Sequence, residues 1–309
     1  MRNDPEDWEK MRYVEPENLL SAFKNMGGSV AVTKGCFEAD HVCEVRDAEW
    51  NTMDQLHRPC LHHTYLESLR LVTARSFALS LTRVGGFKWL TVILDVKLKT
   101  GLAYQVFTLF NLLYVHTVIE IQPRERESKG IVTWYIVSHP FFKFLHGWLS
   151  RRLYRLNEVQ NEEDSPVRLQ RALLRRKGYS FGSDNPDFLN CNVLTSNVIF
   201  PKLSGTHRIS LPPLQPTDLN EVSVGSLDLL VRKNPDQSIT VWPAVCPHEG
   251  APLKEGQVLN HHIVCRWHHL RQDGLQLSTQ KPQGSLRTLR FTLEGKELVV
   301  QQADSGSNR

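Results

Sequence analysis

Cysteine is scarce in this chain of 309 residues: there are six, at Cys36, Cys43, Cys60, Cys191, Cys246 and Cys265. Nothing points to the oxidising compartment that a disulfide framework needs, so these residues are expected to be free thiols or ligands. A long apolar run is missing as well. The longest stretch, from Ala103 to Val115, is broken by Gln105 and Asn111 and is too short and too polar to span a bilayer. The first residues, MRNDPEDWEK, lack the apolar core of a secretory signal, so a cytoplasmic protein with no membrane span is expected. Neither sign of charge dominates. Lys and Arg number 37 against 33 Asp and Glu, a net charge of +4, which does not suggest a nucleic-acid partner. No Gly-x-Gly-x-x-Gly turn follows a strand-like segment, so no nicotinamide or flavin unit is expected. Internal repeats are absent too.

What is present reads as α+β. Residues 1–36 form a lead-in with one short helix over Pro16–Asn25, closed by Gly27 and Gly28. A strand is expected over Phe37–Val45, and apolar residues then recur at helical spacing over Glu49–Arg70. From Phe77 to Val137 the pattern is mostly strands, with turns at Gly85-Gly86, Thr100-Gly101 and Pro123–Gly130. Pro140 opens a helical region that reaches Lys177, and Gly178 stands where a helix usually stops. The segment Gly182–Pro216 is rich in Pro, Asn, Ser and Asp and reads as a connection. Short strands between Gly/Pro turns follow, up to a polar tail at Asp304–Arg309. These features predict a sheet-and-helix domain over 37–182, a linker over 183–204 and a small all-β domain over 205–309.

Two cysteines of the last domain stand beside histidines. The chain reads Cys246-Pro-His248-Glu-Gly-Ala and, after sixteen intervening residues, Cys265-Arg-Trp-His268. Two thiolates and two imidazoles suit a [2Fe-2S] cluster in which the thiolates hold one iron and the histidines the other. Neutral imidazoles carry less negative charge than thiolates, so an added electron is better tolerated. Each loop must turn tightly, a need that Pro247 and Gly250 meet. A zinc site fits the same ligand types, although zinc fingers usually pair Cys with Cys and His with His within each arm. The stretches Cys-Pro-His-Glu-Gly-Ala-Pro-Leu and Cys-Arg-Trp-His-His closely resemble Rieske domains over roughly Gly205–Gln302.

A second stretch, from Glu49 to His62, places Asp54, His57 and His62 in the order Asp-x-x-His-x4-His. It resembles the mononuclear iron segment of Rieske non-heme iron oxygenases, the ring-hydroxylating oxygenase large subunits. The resemblance implies a START-like helix-grip catalytic domain. It also implies a ferrous iron held by two histidines and one carboxylate, with positions open for dioxygen. The third ligand would lie in Glu162-Glu163-Asp164, with Asp164 preferred and Glu163 the alternative. Asp54 stands close to one helical turn before His57, so its carboxylate can bond that ring's free nitrogen. In the family the matching aspartate also bonds a cluster histidine of a neighbouring subunit, here His268, which implies a homotrimer arranged head to tail.

Two functions fit. One is an oxygenase component inserting oxygen from O2 into a small, largely apolar organic substrate, as a mono- or dioxygenase. Electrons would pass from the [2Fe-2S] cluster to Fe(II), supplied by a separate reductase or through a ferredoxin. The other is a Rieske electron carrier fused to a non-catalytic ligand-binding domain. The chain departs from the family in its reversed domain order and in a catalytic part shorter than usual. Tyr104, Phe107, Phe110, Leu112, Tyr114 and Trp134 are candidate pocket residues, although core packing is their default role. Cys60, Asp95 and His116 read as packing or core polar groups. The pairs His261-His262 and His268-His269 should each turn one residue to solvent. The basic run Arg168, Arg171, Arg175, Arg176 and Lys177 reads as a solvated helix face, or a docking patch for an acidic donor.

Overall fold

The computed structural model describes residues 15–303 except 26, 63–69, 75–76, 85–86, 110–111, 186–196 and 216–217. Cys191, Phe110, His63, the Gly85-Gly86 turn, half of the 183–204 linker and the Asp304–Arg309 tail therefore lie outside the described residues. Close packing of Cα atoms divides the chain into two units, Met1–Asp40 with Thr64–Glu162, and His41–His63 with Glu163–Arg309.

In the first unit, alternating apolar and polar residues build one long sheet. A short helix α1 (Leu19–Asn25) precedes β1 (Ala31–His41). The other strands are β2 (Arg70–Ala74), β3 (Phe77–Val84), β4 (Phe87–Lys99), β5 (Leu102–Leu109), β6 (Leu113–Arg124) and β7 (Glu127–Ser138). β2 to β7 form a continuous antiparallel meander, and β1 lies beyond β7 in the order β1-β7-β6-β5-β4-β3-β2. The turn expected over Pro123–Gly130 is tighter than its composition suggests. Pro123 still pairs with Ser128, and only Glu125 and Arg126 bridge Arg124 and Glu127.

One face of this sheet carries Leu113, Val115, Trp134 and Ile136, and it packs against Leu149, Leu153 and Leu156 of a long helix. Spacings of four and three residues put those leucines on one stripe, and each fully buried leucine contributes roughly 1.5–3 kcal/mol. Trp134 donates its indole N–H to Ser150 at 3.1 Å. It lies so close over β1 that a Cβ on Gly35 would sit 2.3 Å from its Nε1, so only glycine fits there. Asp95 is satisfied as a core group, accepting from Gln105 at 2.6 Å. The proposed pocket residues do not share one environment. Trp134 is core, whereas Leu112 and Tyr114 are exposed on the sheet.

The long helix follows a 3-10 turn at Pro140–Leu145 and runs over His146–Arg176. It ends as expected at Gly178, whose φ of 88° lets the amides of Gly178 and Tyr179 reach back to Arg175 and Leu174. An antiparallel sheet gripping a long C-terminal helix defines the α+β helix-grip architecture.

The second unit begins with two short helices, α2 (Val45–Met53) and α3 (Arg58–Leu61); the long helix is α4. The single helix expected over Glu49–Arg70 is thus corrected. Asn51, Thr52 and Asp54 are weak helix formers, and Asp54 leaves the helix with an extended backbone. Its Oδ1 accepts from the Leu56 amide at 3.0 Å, an Asx turn that competes with helix. Val45, expected in a strand, opens α2 instead.

Beyond α4, β8 (Ser180–Phe181) pairs with β9 (Val198–Ile199). Next come β10 (Thr206–Ser210), β11 (Asn220–Val224), β12 (Leu227–Lys233), β13 (Ile239–Pro243), β14 (Gln257–Leu259) and β15 (His262–Val264). β16 (Arg271–Asp273), β17 (Leu275–Leu277), β18 (Gln283–Leu286), β19 (Leu289–Glu294) and β20 (Glu297–Gln302) complete the small all-β part. They form the sheets β11-β12-β13-β17, β10-β20-β19-β18 and β14-β15-β16. Val231, Val241, Leu277, Phe291 and Val300 fill the interior of this part.

Candidate metal centres

The two Cys-His loops fold by the same rule. The Cys246 amide donates to the carbonyl of Ala251 at 2.7 Å, and the Cys265 amide to that of Leu270 at 2.8 Å. In return Gly250 donates to the Cys246 carbonyl and His269 to the Cys265 carbonyl, each at 2.8 Å. The donor in each loop is left-handed, with φ of 87° at Gly250 and 54° at His269. A Cβ on Gly250 would also lie 2.8 Å from Leu174 Cδ1, so this loop requires glycine.

The loops bring Cys246, Cys265, His248 and His268 together as buried residues, while His269 faces solvent. Nδ1 of His248 and Nδ1 of His268 converge to 3.1 Å. In the polypeptide alone, the hydrogen bond with Cys246 holds the Cys265 thiol down at about 5, and the same bond pushes Cys246 up. Two thiols and two ring nitrogens meeting in this way fit the donor set of a Rieske cluster.

A second convergence lies in the same unit. Ligand atoms of His57, His62 and Asp164 all fall within 4.8 Å of one another. Asp164 Oδ1 stands 3.3 Å from Nε2 of each histidine, is buried, and has no well-aligned hydrogen bond. Neighbouring ligands about 2.1 Å from one divalent metal lie about 3 Å apart, so these atoms fit a metal centre. Glu163 points elsewhere, with Oε2 2.7 Å from His62 Nδ1, which orients that ring. Burial raises Asp164, yet contact with His57 outweighs it and brings the carboxyl to about 2.

Asp54 joins the two convergences. Its Oδ2 lies 2.7 Å from His268 Nε2 and 3.2 Å from His57 Nδ1. The remaining nitrogens of those rings, His268 Nδ1 and His57 Nε2, face the two ligand sets. Burial alone would raise the Asp54 carboxyl, but His268 and His57 hold it well below the usual carboxylate range. Asp54 and His268 meet here within one chain, at the contact that the resemblance places between neighbouring subunits. The reason is topological: His41–His63 packs in the unit that carries the loops.

A buried ion network braces the site. Arg171 bonds Asp47 at 3.0 Å, Glu249 at 2.7 Å and Ser183 at 2.8 Å. Its guanidinium is sandwiched between Trp50 and Phe181, 3.9 and 3.6 Å from the ring centroids. Glu249 directly follows His248 and also accepts from Asn197 at 2.6 Å. Arg175 bonds Asp47 and Asp184. The expected solvated basic face is therefore corrected: Arg168 and Arg171 are buried, and Lys177 pairs with Asp228. Sequence reading missed Asp47, Asn197 and Glu249. One signal was available, since Asp164, Arg168, Arg171 and Arg175 follow helical spacing and share one face of α4. Cys60 is half-buried and raised to about 11 by burial.

A family model described as the Rieske [2Fe-2S] domain matches residues 211–290. Over 74 residues the chain is 34% identical to the dicamba O-demethylase oxygenase component of Stenotrophomonas maltophilia, covering 23% of this chain and 22% of that protein. Norcoclaurine synthase from Thalictrum flavum shares 13% identity at a TM-score of 0.33, over 41% of this chain and 87% of the other. A START superfamily protein from Mycobacterium smegmatis shares 9% at 0.34, over 42% and 97%. The C-terminal part of the chain is a Rieske [2Fe-2S] domain, and the chain resembles Rieske oxygenase components. Among the described residues, no helix is long and apolar enough to cross a membrane.

Proposed function

We propose that the chain is the oxygenase component of a Rieske-type system acting on a small, largely apolar organic substrate. The observation that carries this reading is the contact of one Asp54 oxygen with His268 of the cluster loop and His57 of the second ligand set. When bound, the cluster supplies single electrons, and a ferrous iron at His57, His62 and Asp164 supplies the site for dioxygen chemistry.

The protein's own part is orientation. Asp54 accepts the Nε2–H of His268 and faces the Nδ1–H of His57, so each ring keeps its other nitrogen free as a ligand. Glu163 fixes the His62 ring in the same way. Burial of Asp54 and His57 excludes water from the junction. A catalytic region over 37–182 and a Rieske region over 205–309 remain the functional division we propose, with 1–36 as lead-in and 183–204 as linker. The same-chain contact supports an electron path that can be completed within one chain. Electrons would come from a separate reductase, directly or through a ferredoxin, in the cytoplasm.

Iron content tests the reading. The purified chain should hold about three iron atoms, two in the cluster and one at the second site. His57→Ala, His62→Ala and Asp164→Ala should each lower this to about two, keep the cluster's visible and paramagnetic spectra, and abolish substrate oxidation. Wild-type protein with two iron atoms and an intact cluster would instead favour the electron carrier fused to a ligand-binding domain.

A further inference from the structure

The start of α4 and the turn before it present a face that the fold does not use. Phe142, Leu145, Leu149, Leu153 and Leu156 pack toward the sheet. On the opposite side Phe141 is 71% exposed, Phe144 72% and Trp148 42%. The three rings follow one another at helical spacing, and Phe141 and Phe144 meet edge to face at 6.3 Å. Exposed aromatics of this size are costly in water unless something covers them.

Charge says what covers them. Between His139 and Asn157 there is no Asp or Glu, whereas Lys143, Arg151, Arg152 and Arg155 fall within it. Lys143, Arg151 and Arg155 are exposed and make no ion pair among the described residues, and Arg152 lies 5.8 Å from the centroid of the Trp148 ring. The cations continue the aromatic stripe along the helix. Phenylalanine and tryptophan beside the exposed Arg151 and Arg155 match the layered chemistry of a bilayer surface, apolar below an anionic headgroup plane.

We propose that the face formed by Pro140–Arg155 docks the protein on anionic phospholipid membranes. The helix lies in the plane of the interface: Phe141, Phe144 and Trp148 enter the acyl boundary, and Arg151 and Arg155 meet the headgroup phosphates. The long stripe on the other side of the helix stays with the sheet, so docking needs no unfolding.

The test is co-sedimentation of the full, cluster-loaded chain with vesicles. It should bind vesicles containing phosphatidylglycerol and stay in solution with phosphatidylcholine alone. Phe141→Ser with Phe144→Ser should lower the partition coefficient about tenfold or more. Arg151→Gln with Arg155→Gln should lower it about 25-fold at low salt, near fivefold for each charge. Trp148 emission should be quenched by brominated lipid, and Trp148→Phe should lose that component. Unchanged cluster absorption shows that each variant is folded. The proposal is overturned if the wild type ignores anionic vesicles or if both double variants bind as it does. It also fails if the face self-associates, seen as an oligomer that the phenylalanine variant dissolves.

Discussion

Asp54→Asn should leave about three iron atoms in the chain and an intact cluster spectrum, yet slow substrate oxidation about a hundredfold. Asparagine has nearly the same shape, so packing at this buried position is retained. What changes is the atom facing two N–H groups. A carboxylate Oδ2 accepts from His268 and faces the His57 ring 3.2 Å away with a full charge behind it, and charge-assisted bonds are roughly twice as strong as neutral ones. An amide offers either a weaker oxygen, or an NH2 group that opposes the Nε2–H of His268 and the Nδ1–H of His57. Both rings then lose the partner that fixes their tautomer. The Asx turn through Oδ1 to Leu56 constrains which way the amide can settle, so the defect cannot be relieved by rotation alone. Single-turnover oxidation of the pre-reduced variant, with substrate and dioxygen, reads the effect directly. Cluster oxidation at the wild-type rate would remove Asp54 from the path.

Arg171→Leu should be the most destabilising single change at the site. It removes the cation between two fully buried carboxylates, Asp47 and Glu249, and one-sided loss from a buried pair costs about 3–5 kcal/mol. Asp47 keeps Arg175 and Glu249 keeps Asn197, so the effect should fall short of complete unfolding. For a unit of this size the melting temperature should drop by roughly 10 °C. Because Glu249 adjoins His248, cluster retention during dialysis should fall with it. Arg171→Lys keeps the charge and loses the fork, so an intermediate melt is expected. Differential scanning calorimetry with iron and sulfide assay separates the two variants. A leucine variant melting like the wild type would show that neither the ion pairs nor the guanidinium between Trp50 and Phe181 is needed to hold the unit.

The cluster loops were legible in the sequence because each is a closed local object. Two ligands and a left-handed turn residue lie within a few positions, and the backbone bonds that close each loop run between its own residues. The long helix and its stop were legible for the same reason, since Gly178 ends the periodic pattern. Asp54, His57 and His62 were read by order along the chain, but their backbone was misjudged. A helix through Arg70 satisfied the apolar spacing, and the Asx turn at Asp54 won locally. The choice between Glu163 and Asp164 turns on the rotation of α4, which one residue changes by 100°. The contact of Asp54 with His268 spans 214 positions, and no pattern in the chain encodes which copy supplies the partner. The arginines of α4 were misread because a basic run looks the same whether it faces water or buried carboxylates.

The single oxygen shared by His57 and His268 has a consequence for inheritance and for mixtures of chains. In a head-to-tail ring, a copy lacking His57 and a copy lacking His268 can each lend the other its intact end. Here the two ends of the relay are covalently part of one molecule. On the same-chain path proposed above, defects at opposite ends should not rescue one another, whether co-expressed or mixed after purification, and the specific activity of the intact chain should be indifferent to dilution.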